Sequence, residues 1–305
     1  YQSSWTSFNL PTMITHYRIH EVSGYINWIY FFHAWGFQPR YAAIANIHGC
    51  DACRALWLAN FPESERTKAA EAMQLFKEAN RMLSSLDESI QTHAIFCLLD
   101  ANSDENDIWI KGIRFPFLRQ QTVKEGEPYL CLSDFIRPLS SGVSDKISLF
   151  ATSVDAKMEN LYPNDNYLHL LAKTLADRLA EATAEKLHET IRKKIWGYAP
   201  NENLTIRQLH NEEFQGIRPA VGYPSLPDQS INFLLDELLD MKQIGIHLTE
   251  NGMMQPHASV SGLMFAHPAS RYFNIGKIDE EQLNDYAIRR NLPVDEIRRY
   301  LNSNI

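Results

Sequence analysis

The run from Asn164 to Trp196 constrains this chain more than any other part of it. Leu168, Leu171, Leu175, Leu179, Leu187, Ile191 and Ile195 recur at helical spacing along one stripe, and Gly197 stops the pattern. A long helix with one apolar side needs an apolar surface to lie on. Strand-like runs upstream offer one: THAIFCLLDA, DIWIKGIRF, EPYLCLSDF and DKISLFATSV, between residues 92 and 154. SDEND before Ile108 suits a hairpin. ASVSGLMFAH and SRYFNIGKI, joined by a turn around Pro268, add two strand candidates.

Shorter helical patterns surround this centre. IHEVSGYINWIYFFHAW (19–35) reads as a buried aromatic helix after a Ser23-Gly24 start, and 64–86 as an amphipathic helix. Another is expected near 229–242, and two close the chain, in IDEEQLNDYAIRR and in PVDEIRRYLN, which has proline in its first turn. Strands and helices come in runs rather than in strict alternation, which predicts an α+β fold with a mostly antiparallel sheet. No long linker or repeat divides the chain. A single domain over 1–305 is expected, with 1–90 mainly helical and 91–305 carrying the sheet and long helix.

The composition, 45% hydrophobic and 22% charged, is that of an ordinary globular protein. No apolar run is long enough to span a bilayer, and YQSSWTSFN has no signal-peptide core, so a cytoplasmic protein without membrane partners is expected. A start at Tyr1 points to a processed chain or a fragment. The net charge of −8 argues against nucleic acid as a partner. Arg192-Lys193-Lys194, Arg289-Arg290 and Arg298-Arg299 fall near expected helix C-termini, where cations meet the helix dipole favourably; a docking patch for an acidic partner is the alternative.

Four cysteines make no disulfide scaffold and fit a reducing compartment. Cys50 and Cys53 form CDAC, with His48 just upstream, but no second CxxC or HxxxH completes a structural zinc set. No metal site is therefore expected, and Cys97 and Cys131 read as core residues.

GIRPAVGYPSLPD (216–228) follows no periodic pattern. Prolines hold Arg218 and Tyr223 extended, and Gly222 permits backbone angles closed to other residues. Such a segment must find external partners for its backbone groups. It is either a rigid surface connector or a preformed ligand cradle in which Arg218 offers a forked guanidinium to a carboxylate or phosphate. On the long helix Asp177, Glu181, Glu185 and Glu189 recur every four residues. That stripe is either a solvated mixed face, offset by Lys173, Lys186 and Lys193, or one on which Asp177 and Glu181 face a cationic ligand or a partner. No P-loop, GxGxxG, GxSxG or HExxH occurs, and no nucleophile-base pair is legible. Any catalysis here rests on positioning, with no catalytic residue expected.

LADRLAEATAEKLHETIRKKIWGYAPNENL (175–204), FQGIRPAVGYPSLPD (214–228), LTENGMM (248–254) and ASVSGLMFAHPASRYFNIGKI (258–278) carry a specific resemblance. The chain resembles the C-terminal activation domain of cobalamin-dependent methionine synthase over essentially its whole length, with extra residues around CDAC. The resemblance implies a C-shaped α+β domain with a bent antiparallel sheet and a shallow site for S-adenosylmethionine. It further implies partners: a cobalamin-binding domain, in cis or in trans, and a flavodoxin-like or other reductase. The methyl group would pass to inactive Co(II)-cobalamin after one-electron reduction, restoring the methionine synthase, with cobalamin carried by the partner. By the same resemblance Arg218 grips the methionyl carboxylate, Ala220, Gly222 and Tyr223 border the ligand, and Tyr272 and Phe273 form an aromatic pair. Glu181 lies near the ligand, and Asp177 and Glu181 face the cobalamin-binding domain.

Two features depart from the family pattern. YINWIYFF places Asn27 where the family has an aspartate that meets the ligand's ammonium group. No D-x-H-x-x-G cobalamin motif occurs in the chain. A degenerate scaffold or sensor that keeps the fold without catalysis is the alternative reading.

Overall fold

The computed structural model describes residues 11–305; the polar stretch YQSSWTSFN lies outside the described residues. Among the described residues eight strands form: β1 Met13–Arg18, β2 Gln91–Asp104, β3 Asp107–Ile110, β4 Ile113–Pro116, β5 Asp145–Val154, β6 His247–Leu248, β7 Met254–Gln255 and β8 Ser259–Met264. Six make one antiparallel sheet in the order β4-β3-β2-β5-β8, with β1 also beside β2, while β6 and β7 pair separately. β2 organises the sheet. Along one edge its first half pairs with β1 (Met13 opposite Phe96) and its end with β3 (Ala101 opposite Ile110). Along the other edge β5 runs from Thr92 opposite Val154 to Ala101 opposite Asp145.

The helices are α1 Ile19–Val22, α2 Trp28–Ala34, α3 Asp51–Ala59, α4 Glu63–Leu86, α5 Asn166–Thr190, α6 Ile206–His210, α7 Ile231–Leu239, α8 Glu280–Arg290 and α9 Val294–Tyr300. A π-helical turn, Ile191–Ile195, extends α5. The expected α+β fold with an antiparallel sheet is the one observed.

Strand alternation splits the core into two layers. Ala94, Phe96 and Phe150 face one way, against α4 and α5; Ile95, Cys97, Leu99 and Leu149 face the other, against α7. Both faces are covered, so β2 and β5 read as nearly continuous apolar runs. α5 lies across β2, β5 and β8 on a row of small residues, Ala172, Ala176 and Ala180. Their size lets the Thr152 hydroxyl donate to the Ala180 carbonyl at 3.0 Å.

Several expected elements take other forms. Residues 19–35 are not one helix: a 3-10 turn at Ser23–Tyr25 intervenes, and α2 starts after Asn27, whose side chain caps it by accepting from Ile29 N–H. DIWIKGIRF folds back as the β3–β4 hairpin. EPYLCLSDF is mostly irregular, because the Asp134 carboxylate takes the Cys131 N–H and stabilises a 3-10 turn at Leu132–Phe135. SRYFNIGKI forms no strand either: the Ser225 hydroxyl donates to the Phe273 carbonyl, and Gln120 donates to that of Asn274. β1 has no counterpart among the sequence expectations, since MITHYR is a half-exposed strand with weak apolar contrast.

Each basic cluster holds at least one arginine committed to an ion pair, while Lys194 and Arg299 stay exposed. Arg192 is fully buried, joined to Glu202 by two bonds of 2.6 and 2.9 Å, and lies over the Phe214 ring. Arg289 pairs with Asp107, Arg290 with Asp228 and Arg298 with Glu280.

Candidate functional site

The proline-rich segment solves its backbone problem against the free edge of β8. Ile217 and Phe265 exchange N–H···O bonds of 3.0 and 2.9 Å; Leu263 N–H donates to Pro219 O, and Val221 N–H to Ser261 O. Close approach at this edge depends on Gly262, where a Cβ would stand 2.2 Å from the Pro219 carbonyl oxygen. Gly222, at φ +87°, then turns the chain so that its N–H reaches Leu226 O. The segment is a bonded cradle, built on β8 and facing α5.

A cleft of about 670 Å³ opens between the cradle, α5 and the turn before α2. Asn27, Glu181, Arg218, Ala220, Tyr223, Tyr272 and Phe273 all line it. Gly222 and Asp177 are not among the lining residues; Gly222 shapes the cradle backbone, and Asp177 lies 3.5 Å from His257. Tyr25, Tyr30, Arg178, Glu185 and Glu212 also line the cleft, though the sequence did not mark them as site residues. Glu185 carried a signal, one helical turn beyond Glu181. Glu212 carried none, because loop geometry alone brings it in.

The acidic stripe of α5 is an engaged wall rather than a solvated face. Glu181 accepts a very short bond from the Tyr223 hydroxyl, Glu185 pairs with Arg218, and Glu189 accepts from Tyr25 and from Lys193. The Arg218 backbone N–H donates to the Tyr272 hydroxyl at 2.9 Å. Its guanidinium donates to Ala184 O at 3.2 Å and to Glu185 at 3.1 Å. These bonds engage two of the five guanidinium N–H donors.

Burial disfavours charge on Arg218, but the Glu185 carboxylate beside it reverses that effect and holds its pKa above the ordinary value. Burial also pushes the Tyr272 phenol up to about 12, partly offset by Arg218. It raises Glu212 too, against the opposing pull of Arg218. Among the lining residues two arginines therefore meet three glutamates, beside aromatic surface from tyrosines and Phe273. Such a wall can hold a zwitterion that carries an additional positive charge and a flat ring.

The whole chain fits a known pattern. Residues 18–291 match the family described as vitamin B12 dependent methionine synthase, activation domain. The chain belongs to this family. A crystal structure of the MetH reactivation domain bound to AdoHcy is similar, with a TM-score of 0.86 and 35% sequence identity, covering 100% of this chain and 95% of that one. Within the activation domain, the cleft is assembled from segments far apart in the chain: the turn leading into α2, the middle of α5, the end of α6 with the loop after it, the cradle, Val260 of β8 and the stretch from Tyr272 to Asn274. No helix among the described residues is long and apolar enough to cross a membrane.

Proposed function

We propose that this activation domain binds S-adenosylmethionine in the cleft and presents its methyl group to inactive Co(II)-cobalamin on a partner domain, reactivating methionine synthase. One observation carries the reading: Arg218 lines the cleft while its guanidinium is pinned by Glu185 and the Ala184 carbonyl through only two of its donors. A planar fork held in this way meets a carboxylate without losing further side-chain entropy.

The remaining contacts follow from the ligand's chemistry. Glu181, Glu185 and Glu212 offer negative charge to the ammonium and sulfonium, Asn27 a neutral amide, and Tyr223, Tyr272 and Phe273 surface to the adenine. Cobalamin on the partner supplies the nucleophilic metal, an external reductase supplies the electron, and sulfur keeps the C–S electron pair as the methyl leaves. This chain's residues bind the donor, orient it and leave its methyl accessible from outside. They need to move no proton, so rate acceleration comes from approximation. An open cleft suits transfer to a second macromolecule. The degenerate-scaffold alternative is disfavoured by the retained guanidinium, acids and aromatic rings.

Calorimetry on wild type and Arg218→Ala, with S-adenosylmethionine and its decarboxylated analogue, tests the reading. The variant should bind S-adenosylmethionine about 10- to 100-fold more weakly, as expected for losing a charged hydrogen-bonded pair. Its affinity for the decarboxylated compound should stay near that of wild type. Equal affinity of both proteins for S-adenosylmethionine would remove Arg218 from the site and sink the proposal.

A further inference from the structure

A second cluster of chemically active side chains lies in the helical N-terminal part, away from the cleft residues. A 3-10 run, Pro39–Asn46, leads into a short loop and then α3, whose N-cap is Cys50. Cys53 follows one turn into the helix, so both sulfurs fall on the same side. Its backbone N–H donates to the Cys50 sulfur at 3.4 Å. That bond satisfies one of the helix's open donors and turns the sulfur into an acceptor at a fixed position. His48, two residues before the cap, brings a ring nitrogen to the same side as the Cys50 sulfur. One ligand atom from each of His48, Cys50 and Cys53 lies within 4.8 Å of the others. Both cysteines are free thiols; Cys50 is exposed and Cys53 half-buried.

We propose that His48, Cys50 and Cys53 form a surface site for a thiophilic divalent ion such as zinc(II), with one coordination position left to water or an external ligand. Two sulfurs and an imidazole are the donor set that zinc prefers, and C-x2-C is the spacing at which one helical turn delivers a thiolate pair. Sequence spacing argued against a structural site because a fourth protein ligand was missing. The assembled geometry fits the three-ligand class instead, in which the last position stays open. Binding releases the thiol protons to solvent and involves no redox step. The fold does not depend on the ion: α3 is anchored by Trp57, buried and packed edge-on against Phe61. Loss of metal should leave the domain folded, unlike in small zinc modules.

The test uses the full chain, purified under reductant without chelator, with thiols counted before each titration. Zinc(II) is titrated against a chromophoric competitor, and cobalt(II) is used as a spectroscopic substitute. One equivalent of each should bind, cobalt with tetrahedral visible bands and a near-ultraviolet thiolate-to-metal transition. Cys50→Ser and Cys53→Ser should each weaken zinc binding by at least about 100-fold, and His48→Ala by at least about tenfold, since losing even an outer partner of a metal ligand costs about 10- to 100-fold. Circular dichroism and thermal melting of the metal-free variants should match metal-free wild type. Fully reduced protein that takes up neither ion overturns the proposal. Cobalt binding without a thiolate transition, or zinc affinity unchanged in both serine variants, overturns it equally. S-adenosylmethionine affinity is measured alongside and should not change, so failure here is separable from failure of the cleft assignment.

Discussion

The Glu185 carboxylate lies 3.1 Å from the Arg218 guanidinium, with both side chains only 12% exposed. The other Glu185 oxygen is buried and has no hydrogen-bond partner. One carboxylate thus anchors the arginine and leaves an acceptor unsatisfied beside the cleft.

Removing this anchor should be costly. Glu185→Ala strands a nearly buried guanidinium, and breaking such a pair from one side costs about 3–5 kcal/mol when fully buried. Urea denaturation should show a loss of at least about 2 kcal/mol at pH 7, discounted for the residual exposure. Stability equal to wild type would mean that the pair is not formed in solution.

Asn27 already has a structural duty, because its carbonyl caps α2 through Ile29 N–H at 3.1 Å. Aspartate caps a helix equally well and adds a negative charge at its positive end. Asn27→Asp should therefore keep stability and tighten S-adenosylmethionine binding on the order of tenfold, the gap between charged and neutral hydrogen bonds. Unchanged affinity by calorimetry would place the ammonium group elsewhere, beside Glu181 or Glu185.

Gly262 sets the distance between β8 and the cradle. An alanine there would put its Cβ 2.2 Å from Pro219 O and 3.0 Å from the Phe150 ring, so backbone must shift. Gly262→Ala should lower stability by about 1–3 kcal/mol. It should also weaken ligand binding more than an exposed substitution such as Ile288→Ala. A variant with wild-type stability and affinity would show that the cradle does not need this close approach.

His188 is fully buried, and neither ring nitrogen has a hydrogen-bond partner. Burial, reinforced by Arg192 and Arg218, holds its pKa well below the ordinary 6.5. The unfolded chain then binds a proton that the folded chain refuses, so stability is full above about pH 6.5 and falls as pH drops below it. Between pH 7.5 and 5.5 this one group should remove about 1.4 kcal/mol. His188→Gln should lose that much less over the same interval in paired denaturation curves. Parallel losses would assign the acid sensitivity to other groups.

The sequence by itself determined the fold class and singled out segments that line the cleft. Continuous apolar runs in β2 and β5, helical spacing in α5 and the fixed dihedrals of RPAVGYP are local properties, written wherever the residues stand. The family resemblance added expected partners for those segments, and the chain's membership now stands on the match over residues 18–291. Local reasoning failed where backbone partners are distant. SRYFNIGKI has strand-forming residues, yet Ser225, far off in the chain, holds Phe273 out of the sheet.

Only the tertiary structure decided how the acids of α5 divide among Tyr223, Arg218 and Tyr25, that Arg192 is buried on Glu202, and that Glu212 enters the cleft. It alone brings His48 onto the two thiols of CDAC. Charge pairing and ligand geometry depend on distances of a few ångströms between segments far apart in the chain. Those distances exist only after the helices have packed on the sheet.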